Sequence, residues 1–158
     1  HKHLPPVAEF ETKWTELAAN EDLVSVLPKG VKVVLGVFSI QREGAYQDIV
    51  RQTWMRQKGV CPLHLGYNED CSVFVAFVLG GGGNFSGYIN DVLILNGTEN
   101  MNRGKTYEFF RYASDAYPWA SHIAKGDIDT FPHLRTILED LNEHSGDECE
   151  ALVGVPCG

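Results

Sequence analysis

The chain has 158 residues, 44% of them hydrophobic and 22% charged, a composition that supports one globular domain with a real core and argues against whole-chain disorder. Its 21 acidic against 13 basic residues leave a formal net charge of −8, which excludes a protein that grips nucleic acid through clustered Lys and Arg. The most apolar stretch, residues 31–40, is interrupted by Lys32 and is far too short to cross a bilayer. Any membrane attachment therefore runs through an anchor outside this chain, and the start at His1 without an initiator Met reads as a mature or trimmed form.

Residues 1–6 form a polar, Pro-containing tail that is expected to fray. Val7, Phe10, Trp14 and Leu17 recur at helical spacing and predict an amphipathic helix ending near Asn20. Residues 27–30 read as a turn, so residues 1–30 are a tail plus a helix, and 31–158 are the main α/β domain. Residues 31–40 are β-branched with little alternation, as a strand buried on both faces would be. A helix is expected over 46–57, a second buried strand over 72–79 and a shorter one over 92–95. A helix over 102–117 ends before Pro118. Then come a short strand over 121–125, a helix over 132–142 with Pro132 near its first turn, and an incomplete last strand over 151–155.

Such alternation predicts an α/β fold, a mostly parallel Rossmann-like sheet with helices on both faces. Ligands bind these sheets at the carboxyl ends of the strands. Chemistry is therefore sought after Ile40, Leu79, Leu95 and Lys125. The glycine run 80–83 reads as a surface loop. Gly104-Lys105-Thr106 resembles the end of a phosphate loop, but the required earlier glycine is Glu99, whose carboxylate would repel phosphate.

Cys61, Cys71, Cys149 and Cys157 fit no zinc-ribbon spacing and allow three pairings, of which Cys61 with Cys71 and Cys149 with Cys157 close the shortest loops. Two N-x-[ST] sequons, at Asn84 and Asn96, stand in Gly-rich contexts where a glycan acceptor has to sit. An even cysteine count with two sequons favours the oxidising secretory pathway.

The strongest chemical signal is Lys125-Gly126-Asp127-Ile128-Asp129-Thr130-Phe131, directly after an apolar strand. Two carboxylates one residue apart reach toward a common point where the chain turns, and there they ligate a hard divalent cation that bridges to a diphosphate. Taken alone, D-x-D is a common triplet that also suits two solvated acids at a helix start.

Two further blocks add context. Arg51-Gln52-Thr53-Trp54 resembles the R-x-T-W segment of the family 31 β1,3-galactosyl- and N-acetylglucosaminyltransferases. Asp91 to Leu95, followed by Lys105-Thr106, resembles that family's second block, and Ile123-Ala124-Lys125 with Asp127 to Phe131 resembles its D-x-D block. The phosphoglycan β1,3-galactosyltransferases of protozoan parasites are the most similar branch.

The resemblance implies a GT-A fold in which a Rossmann-like sheet binds UDP and D-x-D holds Mn²⁺ or Mg²⁺. By position, Phe38 and Ser39 would flank the uridine, Arg51 and Lys105 would lie near the diphosphate, Asp129 would be the principal metal ligand, and Asp127 would contact the ribose or sugar as well as the metal. UDP-galactose or UDP-N-acetylglucosamine is the implied donor, a glycan the acceptor, and the Golgi or secretory lumen the compartment.

The sequence departs from the family at Ile128, where an acid is usual. It also reaches Gly158 without the acceptor half that carries the family's catalytic carboxylate, so no residue is assigned as base and the domain reads as truncated. The alternatives are a catalytically incomplete module that binds a nucleotide sugar or a glycan, and an unrelated doubly wound protein with another phosphate ligand.

Overall fold

The computed structural model describes residues 3–81, 86–97 and 104–144. In chain order the elements are α1 (Val7–Ala19), β1 (Val33–Phe38), α2 (Gly44–Gln52), β2 (Val60–Pro62), β3 (Val73–Gly80), β4 (Gly87–Ile89), β5 (Val92–Leu95), α3 (Lys105–Ala116), β6 (His122–Asp127) and α4 (Leu134–Glu143). The expected strand over 151–155 lies outside the described residues.

Six strands form one sheet in the order β4-β5-β3-β1-β6, with β2 beside the first half of β3. Every pairing is parallel except β4 with β5. Leaving aside the two three-residue strands, the third, second, first and fourth strands of the chain lie side by side. That is the order of one doubly wound half-sheet with its switch point between β1 and β6. Traffic in opposite directions from β1 demands crossovers on opposite faces if both are right-handed. Accordingly, Ile49 and Val50 of α2 pack on one face with Val33, Leu35 and Val37, and Phe109 and Ala113 of α3 pack on the other with Val34 and Phe38.

The uninterrupted β-branched runs become the central strands because both faces are covered: all six residues of β1 and the first six of β3 are buried. Gly36 in the middle of β1 permits α3 to approach closely, since a Cβ there would stand 2.5 Å from Cζ of Phe109.

The first layer also takes in α1 and α4. Phe10 and Trp14 of α1 are buried in the same core as α2, and Leu134 and Leu138 of α4 join them. The N-terminal segment is therefore not a separate unit. Its approach is tied down as well, with the Tyr46 hydroxyl donating to the Pro5 carbonyl at 2.6 Å and Leu4 packed on the core, where fraying was expected.

Helix α2 is shorter than its periodicity suggests. Thr53 Oγ1 turns back to the Ile49 carbonyl at 2.7 Å, and Trp54–Arg56 continues as a separate 3₁₀ turn. Helix α4 starts at Leu134, two residues later than expected, with Pro132 just before it.

Cys61 and Cys71 are disulfide-bonded, with Cα atoms 6.0 Å apart. Cys149 and Cys157 lie outside the described residues, as does Asn84, whereas Asn96 is exposed just after β5. The bond closes a loop of 10 residues, and its loss through Cys61→Ser with Cys71→Ser is expected to cost about 2 to 3 kcal/mol in urea unfolding. An unchanged midpoint would contradict a role in stability.

Strand β4 is fastened to the end of α3 by a hydrogen bond between the Tyr88 and Tyr117 hydroxyls. Burial raises the pKa of both phenols, that of Tyr117 to about 12 from an ordinary 10.0. A raised folded-state pKa means that this pair's stabilisation is complete below about pH 10 and is lost as pH climbs through 12. In Tyr117→Phe the alkaline fall in melting temperature should be shallower than in wild type. Equal slopes would show that the pair carries no linkage.

Candidate functional site

The ends of β1 and β6 define the site. Their register sets Gly36 against Lys125 and Phe38 against Asp127. Paired residues on parallel strands share a face, so Lys125, Asp127 and Phe38 all face α3. Lys125 Nζ stands 4.9 Å from the centroid of the Phe38 ring and 3.3 Å from Asp127 Oδ1. From the start of α3, Lys105 Nζ approaches the same ring at 5.2 Å and donates to the Ser39 carbonyl at 2.8 Å. Two ammonium groups thus bracket one aromatic ring. Lys105 is only 4% exposed, and it enters from Gly104, whose φ of 105° favours glycine.

The segment after β1 is locked by buried polar contacts. Ser39 Oγ donates to Glu43 Oε1 at 3.0 Å and accepts from Gln47 Nε2 at 2.9 Å, while the same Glu43 oxygen accepts the Ile40 backbone N–H at 2.9 Å. Ser39, Glu43 and Gln47 are each buried. Such groups are tolerated inside because they satisfy one another, and the network fixes how the chain leaves β1 and enters α2. Phe38 and Ser39 are therefore interior groups in this structure, with the ring of Phe38 edge-on to Phe109 at 5.6 Å.

Strand β6 runs two residues beyond the sequence expectation, because the β1 edge continues to offer partners: the Ile128 N–H donates to the Phe38 carbonyl at 3.2 Å. Asp127 is thus the last residue of the strand rather than a loop residue. The chain then turns, closed by the Thr130 N–H on the Asp127 carbonyl at 3.0 Å. Ile128 is 5% exposed and packs in the α2–α4 core, so an apolar residue at the middle position follows from where that side chain points. Asp127 and Asp129 flank it and are both partly exposed. Their carboxylates are hard oxygen donors of the kind Mn²⁺ and Mg²⁺ take. Among the described residues no three His, Cys, Asp or Glu side chains converge, so a cation here would draw its remaining ligands from substrate or water.

Arg51 lies elsewhere. Its guanidinium stacks 4.7 Å from the ring centroid of Phe77, a side chain in the core on the α2 face, opposite the face that carries Phe38 and Asp127. Nε and Nη2 bind Asp91 at 2.7 and 2.9 Å, and Nη1 binds Asp48 at 2.6 Å. The hydrogen bond to Asp91 chiefly holds its pKa above the ordinary value. The structure therefore brings Lys105, Phe38, Ser39 and Asp127 together and does not bring Arg51 to them. Arg51→Met should cost about 1 to 2 kcal/mol, a charged bidentate bond discounted for partial exposure, because it strands Asp91. A destabilisation below a few tenths of a kcal/mol in urea unfolding would remove Arg51 from the structural account.

Three residues at the site were given no role from sequence, Lys125 among them although it stands in the D-x-D block. Lys125 had a readable signal, since residues two apart on a strand share a face and Asp127 is its neighbour in that sense. Glu43 and Gln47 had none, because acids and amides early in a helix are normally solvated.

No protein-family model and no curated protein matches this chain. Among the described residues no helix is long and apolar enough to cross a membrane.

Proposed function

We propose that this chain is the donor-binding domain of an inverting, metal-dependent glycosyltransferase of GT-A fold, taking UDP-galactose or UDP-N-acetylglucosamine and serving a glycan acceptor in the secretory lumen. The observation that carries the reading is the juxtaposition of Phe38 and Asp127 at the switch point of the sheet, where doubly wound folds bind nucleotides. The disulfide and the exposed sequon at Asn96 support the lumenal compartment.

In this reading Asp129 is the principal ligand of a divalent cation, and Asp127, beside it, meets the ribose or sugar hydroxyls. Mn²⁺ or Mg²⁺, when bound, would offset the charge of the diphosphate leaving group. Lys125 orients the Asp127 carboxylate, to which it stands at 3.3 Å, and adds positive charge at the strand ends. Lys105 and the Ser39–Glu43–Gln47 network act as supports that hold the segment after β1 rigid, so that the binding groups are placed before the ligand arrives.

Calorimetric titration with UDP, with and without Mn²⁺, tests the reading. Saturable binding that depends on Mn²⁺ is expected, and no binding under either condition would sink it. Sugar transfer to a galactoside then separates an enzyme domain from a module that only holds the nucleotide sugar.

A further inference from the structure

Where α3 meets the β4–β5 hairpin lies a groove of about 310 Å³, bordered by Leu95 and Asn96 on the sheet side and by Tyr112 and Ala116 on α3. Neither Lys125 nor Asp127 borders it. Glu108, Arg111 and Asp115 bring two carboxylates and a guanidinium to its wall, with Arg111 Nη2 3.3 Å from Glu108 Oε2. A diphosphate would meet two like charges there, and an alkyl chain would set hydrocarbon against charged groups. A pyranose ring suits such a wall, because it pairs an apolar C–H face with a rim of hydroxyls.

Asn96 is the residue that joins this groove to a sugar. It is exposed, its backbone N–H donates to Ser86 Oγ at 2.8 Å, and Asn96-Gly97-Thr98 is a sequon. Gly97 has a φ of 136°, with nothing within 4 Å of where a Cβ would stand, so the acceptor lies in an uncrowded turn.

We propose that Asn96 carries an N-linked glycan whose first N-acetylglucosamine lies in this groove, its apolar face on Tyr112, fastening α3 to the β4–β5 hairpin. The site rests on the lumenal compartment inferred above. In the transfer, Asn96 Nδ2 bonds to the anomeric carbon of a lipid-linked diphospho-oligosaccharide. The bond to the lipid diphosphate breaks, that group leaves with the electron pair, and the amide gives one proton to the host's transferase. Tethering makes the groove contact intramolecular, so a shallow site that would hold free sugar weakly is filled. Glu108 and Asp115 accept from the sugar's hydroxyls and amide N–H, and Arg111 donates.

The test uses the whole chain from a secretory host that leaves glycans in high-mannose form, with Asn84→Gln so that only Asn96 is modified. Intact mass should show Asn96 occupied. Trimming with an endoglycosidase that leaves one N-acetylglucosamine should keep the melting temperature about 2 to 4 °C above that of Thr98→Ala, which lacks the sugar and retains Asn96. Adding Tyr112→Ala to both proteins should erase that gap. Ala116→Trp, which fills the groove from an exposed position, should erase it too and carries the test if Tyr112→Ala fails to fold. Bare Asn96 in secreted, disulfide-bonded protein would overturn the proposal and leave the compartment reading standing, whereas free thiols at Cys61 and Cys71 would sink both. Equal melting of the trimmed and Thr98→Ala proteins, or a gap that persists in a folded groove variant, would also overturn it.

Discussion

Phe109→Ala is expected to lower the free energy of unfolding by about 3 to 5 kcal/mol, the range for emptying a buried aromatic site. Phe109 has no exposed surface and meets Phe38 and Phe110 edge-on, with centroids at 5.6 and 5.5 Å. The strand beneath it cannot fill the gap, because Gly36 carries no side chain and is the residue over which the ring lies. Collapse is therefore limited and the cavity term stays large. Phe109→Leu keeps most of the apolar volume and should cost less. Urea unfolding of the two variants checks this, and a loss under about 1 kcal/mol for Phe109→Ala would mean that α3 repacks freely on the sheet. The substitution also removes the partner that holds Phe38 in place, so damage should spread to the ends of β1 and β6.

The long apolar strands were legible because burial on both faces leaves an unbroken β-branched run, as in residues 33–38 and 73–78. The structure bears out an α/β fold with a mostly parallel sheet flanked by helices. Strands β2 and β4 were not legible. Three residues carry no usable period, and both take their conformation from the neighbour they pair with. The extension of β6 to Asp127 had the same cause, since the ladder is supplied by β1 and not by the propensity of Lys-Gly-Asp.

Within the site, position along the chain identified the strand ends but not the faces. Arg51 and Lys105 both read as cations near a ligand, yet α2 and α3 pack on opposite faces of the sheet, and Arg51 finds Asp91 and Asp48 instead. The burial of Lys105 was invisible for a related reason. A lysine at the first position of a helix is usually solvated, and only the fold shows that the Ser39 carbonyl and the Phe38 ring receive it.

Asp129→Ala is expected to remove the stabilisation that UDP confers in the presence of Mn²⁺. A ligand that binds only the folded state adds RT ln(1 + [L]/Kd), roughly 2.7 kcal/mol at about a hundred times Kd. A carboxylate that holds the bridging cation carries that entire increment. Asp129 lies beyond the end of β6 and is partly exposed, and the UDP-dependent shift is read against each protein's own unliganded melting temperature, so a change in the unliganded variant leaves the test intact. Asp127→Ala should weaken the effect less, because a hydroxyl contact is lost while the cation remains.

The most direct measurement is the melting temperature of wild type and Asp129→Ala, each with Mn²⁺ or chelator and with or without UDP. The account predicts a UDP-dependent rise in wild type with Mn²⁺, little rise with chelator, and none in Asp129→Ala. A full Mn²⁺-dependent rise in Asp129→Ala would contradict it, leaving Asp129 without a part in holding the metal.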